Sequence, residues 1–108
     1  MDMVAHRFDV YLVKLDPTVG REIRKTRPCV IVTPDDVNRF VGTVLVAPMT
    51  SAQTEYPSRV ACSFAGRDGE VALEQIRCVD QSRLLKYLGA IDLLTQVAIS
   101  RTLVEMFG

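Results

Sequence analysis

Residues 10–33 read VYLVKLDPTVGREIRKTRPCVIVT. Two interleaved apolar sets occupy the start, Val10 with Leu12 and Tyr11 with Val13 and Leu15. Period two with both sets apolar predicts a strand over 10–15 with both faces at least partly buried. Asp16, Pro17 and Gly20 then stop it. Proline has no backbone donor, and glycine tolerates left-handed angles. A loop follows over 16–27, and a β-branched run over 28–33 predicts a central strand. The loop holds Arg21, Arg24, Lys25 and Arg27 with one carboxylate, Glu22. Cations gathered on a loop between two strands point to an anionic ligand, of which phosphate is the commonest.

The rest of the chain continues in short strands. Expected strands cover 43–49, 58–63, 70–77 and 84–90, with a turn over 66–69 and a turn or short helix after Pro34. Asp92 is expected to cap a helix over 93–106, its carboxylate accepting first-turn amides. That helix carries a wide apolar stripe of Leu93, Leu94, Val97, Ala98, Leu103, Val104 and Phe107, suited to packing on its own barrel or on a partner subunit. Five or six closely spaced strands and one terminal helix predict a mainly β fold, a small bent antiparallel barrel. The 108 residues are expected to form a single domain, 1–108.

Composition excludes several classes. Thirteen basic and thirteen acidic residues balance to zero net charge, unlike a nucleic-acid coat protein. A small site with a few phosphate contacts stays open. No apolar run reaches the length of a membrane span, and the N-terminal stretch lacks the apolar segment of a signal peptide. The three cysteines, Cys29, Cys62 and Cys78, fit no metal-ligand spacing and suit small buried groups in a reducing cytoplasmic compartment. His6 is the single histidine, which rules out a two-histidine ribonuclease mechanism.

Five segments together carry a family resemblance: DVYLVKLDPTVGREIRKTRPCVIVTPDD, TVLVAPMTS, YPSRV, VALEQIRCVDQSRL and LGAID. In this order and spacing they resemble the MazF/PemK-type toxins of bacterial type II toxin–antitoxin pairs. The resemblance covers nearly the whole chain. It implies an SH3-like β-barrel with a C-terminal helix, usually a two-fold homodimer. It implies a metal-independent endoribonuclease that cuts single-stranded RNA, mostly messenger, leaving 2′,3′-cyclic phosphate and 5′-hydroxyl ends. It also implies no cofactor, no membrane partner and a cognate antitoxin that blocks the site. The gyrase poisons of the CcdB type, and members that bind without cutting, share the fold and remain alternatives.

The resemblance assigns roles residue by residue. Arg27, before the proline that opens the second strand, corresponds to the catalytic arginine. A guanidinium suits two non-bridging oxygens at once, so electrostatic stabilisation is its expected work. Thr50 is expected to donate to the same phosphate, with Ser51 sharing that contact. Glu22 is either the base for the 2′-hydroxyl or the group that orients Arg27. Arg21, Arg24 and Lys25 are candidate phosphate contacts. Glu74 and Gln75 are expected to read the edges of unstacked bases. Where the family carries glycine, this chain has Phe8, a departure expected to reshape the groove or the dimer edge.

Overall fold

The computed structural model describes residues 5–108. Residues 1–4, the start of the stretch read as lacking a leader segment, lie outside that range.

The opening strand–loop–strand forms, but the second strand begins and ends two residues earlier than expected, so Arg27 lies in the strand rather than in the loop. β1 (Asp9–Lys14) and β2 (Thr26–Ile31) pair antiparallel, Val10 opposite Val30 and Lys14 opposite Thr26. α1 (Asp35–Val41) follows Pro34, with Asp35 and Asp36 in its first turn, where carboxylates suit the helix dipole. β3 (Thr43–Thr50) lies against β2. β4 (Arg59–Phe64), β5 (Arg67–Ala72), β6 (Arg77–Asp80) and β7 (Leu84–Ala90) complete one curled antiparallel sheet. Its strand order is β4-β5-β3-β2-β1-β7, with β6 also on β3. α2 (Leu93–Phe107) closes the chain, capped by Asp92, whose carboxylate accepts the Thr95 amide and hydroxyl.

Both faces of the sheet are buried, as the interleaved pattern requires. Tyr11, Val13 and Leu15 join Cys29, Ile31, Val44, Val46 and Val79 on one side. Val10 joins Val30, Ala47, Val71, Leu73 and Ile99 on the side that α2 covers. Burial of apolar area on this scale is the main favourable term for a small domain.

Two expectations need correction, and the helix stripe is only partly used by this chain's own core. The strand expected over 70–77 is two strands separated by a 3-10 turn at Leu73–Gln75. The edge of β3 serves both, Met49 and Thr50 pairing with β5 and Thr43 to Val46 with β6, so the chain steps along β3 between them. The turn expected over 66–69 is a tight hairpin at Ala65 and Gly66, both at positive φ (51° and 77°). Two positive-φ central residues match strand twist, so Arg67 to Gly69 belong to β5. The helix stripe also divides. Ala98 and Leu103 pack on the core beside Ile99, but Leu93, Leu94, Val97, Val104 and Phe107 are exposed.

Phe8 sits at φ 72°, the left-handed region. Its N–H donates to Ile31 O and its C=O accepts from Ile91 N, tying β2 to the lead-in of α2. A position locked this way favours glycine, which accounts for the residue expected there. The ring packs at the edge of the core under the Arg7 guanidinium, 4.9 Å from its centroid, and lines a groove with Leu93, Val97 and Val104.

Candidate active site

Arg27, Thr50 and Ser51 converge although they come from different strands. β2 presents Arg27, and the end of β3 presents Thr50. Together with Met49, Phe64, Arg67 and Asp68 they line a pocket of about 370 Å³. Asp68 is the single carboxylate among the described residues lining it, and Arg67 adds a second cation.

The Arg27 side chain is aimed by its own loop. Nε donates to the Arg24 carbonyl at 3.0 Å, which leaves both terminal nitrogens of the fork free of protein partners among the described residues. Neither Glu22 nor Glu74 forms an ion pair with it. Thr50 Oγ1 accepts the Ala52 N–H at 3.2 Å. A hydroxyl that accepts through a lone pair keeps its proton to donate. Gly69, on β5, faces the Thr50 carbonyl so closely that any Cβ there would collide with it.

The loop between β1 and β2 is braced from outside. Arg83 Nη1 donates to the carbonyls of Lys14 (3.1 Å) and Asp16 (2.8 Å), and Arg77 Nη1 to Leu15 O (2.8 Å). Asp16 Oδ1 accepts from Thr18 Oγ1 and from the Lys25 amide. Gln75 grips the far end. Its Oε1 accepts the Ile23 N–H at 2.7 Å and its Nε2 donates to Arg21 O at 3.1 Å. Arg21, Arg24 and Lys25 are exposed along this loop.

Other expected site residues have structural duties. Glu22 accepts the Val19 N–H inside the loop, while Arg27 Nε donates to the Arg24 carbonyl rather than to Glu22. Glu22 and Arg21 line a second cleft of about 330 Å³ with Glu74 and Gln75, separate from the Arg27 pocket. Glu74 is gripped by Arg59, Nε at 3.0 and 2.7 Å and Nη2 at 2.6 Å, with the Ser58 hydroxyl at 2.7 Å. Burial pushes its carboxyl up, but these bonds outweigh that and hold it below the usual range.

The network that sequence reading missed centres on Arg59 and Glu70. Both are nearly solvent-free, and Arg59 Nη1 lies 3.3 Å from Glu70 Oε1. Glu70 also accepts from the Thr54 amide and hydroxyl (3.1 Å each) and the Glu55 amide (3.0 Å). Burial raises its pKa, but these donors win and hold it below the ordinary glutamate value. In sequence both look like surface charges.

No helix among the described residues is long and apolar enough to cross a membrane. Among the described residues no group of three or more His, Cys, Asp or Glu is placed to hold a metal ion.

Known proteins match both chain and fold. A family model described as the PemK-like, MazF-like toxin of type II toxin–antitoxin systems matches residues 6–107. The chain is 34% identical over 96 residues to the endoribonuclease EndoA of Bacillus subtilis (strain 168), covering 83% of each protein. It is 36% identical over 88 residues to an endoribonuclease MazF of Staphylococcus epidermidis, covering 76% of this chain and 73% of that one. Among solved structures, MazF from Deinococcus radiodurans superposes with a TM-score of 0.86 at 24% identity, covering 99% of each chain. A mycobacterial endoribonuclease in complex with its cognate antitoxin has the same fold, with a TM-score of 0.79 at 24% identity over 94% of this chain and 92% of that one. From the matched segments, from the pocket they build and from these relatives, the chain belongs to the PemK-like, MazF-like toxins of type II toxin–antitoxin systems.

Proposed function

We propose that this toxin is an endoribonuclease that cuts single-stranded messenger RNA in the cytoplasm and so arrests growth. The observation that carries the reading is the one pocket that Arg27, with its terminal nitrogens free of protein partners among the described residues, lines together with Thr50. In-line attack by a 2′-hydroxyl on the adjacent phosphorus builds negative charge on the phosphorane oxygens. Arg27 and Thr50 are the donors aimed at that charge, with Ser51 beside them. The P–O5′ bond then breaks, the departing oxygen taking a proton from solvent, which leaves a 2′,3′-cyclic phosphate and a 5′-hydroxyl with no water consumed in that step. Asp68 is the carboxylate the pocket offers for the proton of the attacking hydroxyl; Asp68→Asn cutting at the wild-type rate would remove it from that role.

Arg21, Arg24 and Lys25 contact flanking phosphates, and the cleft with Glu74 and Gln75 receives a neighbouring base. The exposed apolar face of α2, with Leu94 82% and Phe107 78% exposed, packs against a second copy in a homodimer. A cognate antitoxin, of the kind found with the mycobacterial relative, covers the site.

The test is a long single-stranded RNA incubated with the protein in excess EDTA, with every new end mapped. Discrete cuts with cyclic phosphate are expected. Intact RNA would sink the proposal, and a requirement for added metal would sink its chemistry. A monomer by sedimentation at micromolar concentration would remove the dimer.

A further inference from the structure

The hydroxyl of Thr50 is held by the segment that follows it. Thr50 Oγ1 accepts from the Ala52 amide, and two and three residues further on, at Thr54 and Glu55, the same segment is pinned by one buried carboxylate. Glu70 stands directly across from Thr50 in the β3–β5 register. It is 4% exposed, yet it reaches past its own strand to bind the Thr54 and Glu55 amides and the Thr54 hydroxyl. Glu55 itself is at φ 59°, a conformation that a free loop would seldom hold. Arg59 closes the other end of the segment, joining Glu70 to Glu74 and stacking on the Tyr56 ring at 5.2 Å. Gly69 admits the close approach that puts β5 against Thr50.

A charge balance for Arg59 would need no such arrangement, since Glu74 already grips Arg59 with the closer contacts. Glu70 instead accepts three of its four hydrogen bonds from the loop, two of them from backbone amides. We propose that Glu70 is a positioning residue: it fixes residues 51–55 so that the Ala52 amide sets the direction of the Thr50 hydroxyl. This rests on the assignment of Thr50 to the reacting phosphate. Glu70→Gln keeps the shape but turns one acceptor into a donor facing an N–H donor, which opens the loop anchor.

The test uses an RNA oligonucleotide with a mapped cut site, and the same oligonucleotide with a 2′-deoxy sugar at that site for binding. Single-turnover rates and affinities are measured for wild type, Glu70→Gln, Thr50→Ala and the double variant. A misplacement near 1 Å costs about a hundredfold in rate, so Glu70→Gln is expected to slow cutting about 10- to 100-fold. Binding of the deoxy oligonucleotide should stay within about threefold, because phosphate contacts from the other loop are intact. In the Thr50→Ala background Glu70→Gln should add less than about threefold, since groups acting as one unit are non-additive.

Wild-type cutting rates in Glu70→Gln, or equal slowing with and without Thr50, would overturn the proposal. A Thr50→Ala protein that cuts normally would instead overturn the assignment of Thr50. Should Glu70→Gln fail to fold, Thr54→Val removes one donor and leaves the carboxylate paired. It is then expected to slow cutting about tenfold, the worth of one bond to a charged acceptor, with binding unchanged. A Thr54→Val rate equal to wild type would count against the proposal.

Discussion

Replacing Gln75 by leucine separates two uses of one amide. The side chain keeps its bulk but loses the bonds to Ile23 N and Arg21 O. Each is a neutral hydrogen bond of about 0.5–1.5 kcal/mol net. Arg77 and Arg83 still hold the opposite end of the loop through Leu15, Lys14 and Asp16. The loss therefore falls on local opening rather than on global unfolding, at about 1–2 kcal/mol. That corresponds to roughly 5- to 30-fold faster amide exchange at Ile23. Hydrogen exchange across residues 16–26 reads it directly. The same loop carries Arg21, Arg24 and Lys25, so cutting should slow by a similar factor at every mapped site. Unchanged exchange at Ile23 would refute the clasp. An altered choice of cut site at unchanged exchange would return Gln75 to base reading alone.

Arg59→Met removes a guanidinium that is 8% exposed from between two carboxylates. Breaking a buried pair costs about 3–5 kcal/mol; Glu74, about a third exposed, rehydrates, so about 3 kcal/mol is expected from urea unfolding at fixed protein concentration. A change below about 0.5 kcal/mol, the range of ordinary surface substitutions, would show that the network is ornamental to stability. The same carboxylates set the acid response. Glu70 and Glu74 have folded-state pKa values below their unfolded ones, so their stabilisation is present above about pH 4.5 and lost as pH falls through the depressed values. Unfolding free energy flat from pH 7 to about 5 and falling below is expected, with a shallower fall in Glu70→Gln; a rise on acidification would contradict the assignment. Phe8→Gly relieves about 1–2 kcal/mol of left-handed strain and loses a comparable amount of ring burial. Stability within about 1 kcal/mol of wild type and an unchanged cutting rate are expected, because Phe8 lies in the α2 groove rather than the Arg27 pocket. A large loss of cutting would show that the two regions are coupled.

What could be read in advance follows from how local each signal is. The alternation of Val10 to Leu15 specifies a strand buried on both faces wherever it sits, and both cores confirm it. Asp92 announces its helix because capping is a matter of three residues. The break at Leu73–Gln75 carries no local mark, since it exists only because β3 shares one edge between two strands. The same holds for the side chains. Arg27 and Thr50 were paired through family resemblance, and their shared pocket depends on strands that only the sheet brings together. Glu22, Glu74 and Gln75 looked like free polar groups beside a cationic loop. Glu22 is engaged by the Val19 N–H three residues before it, but Glu74 and Gln75 by groups 15 and 52 residues away, which sequence does not place nearby. Glu70 was invisible for the opposite reason, a charge on an inward position whose partners lie 11 to 16 residues away.

The most direct measurement compares wild type and Arg27→Ala on one mapped RNA site under single-turnover conditions, with circular dichroism and thermal unfolding recorded for both. The Arg27 fork carries no structural ion pair among the described residues, so its removal should leave the fold intact. Losing a charged donor aimed at the developing phosphorane is expected to slow cutting at least about a hundredfold. A folded Arg27→Ala protein that cuts at the wild-type rate would contradict the account.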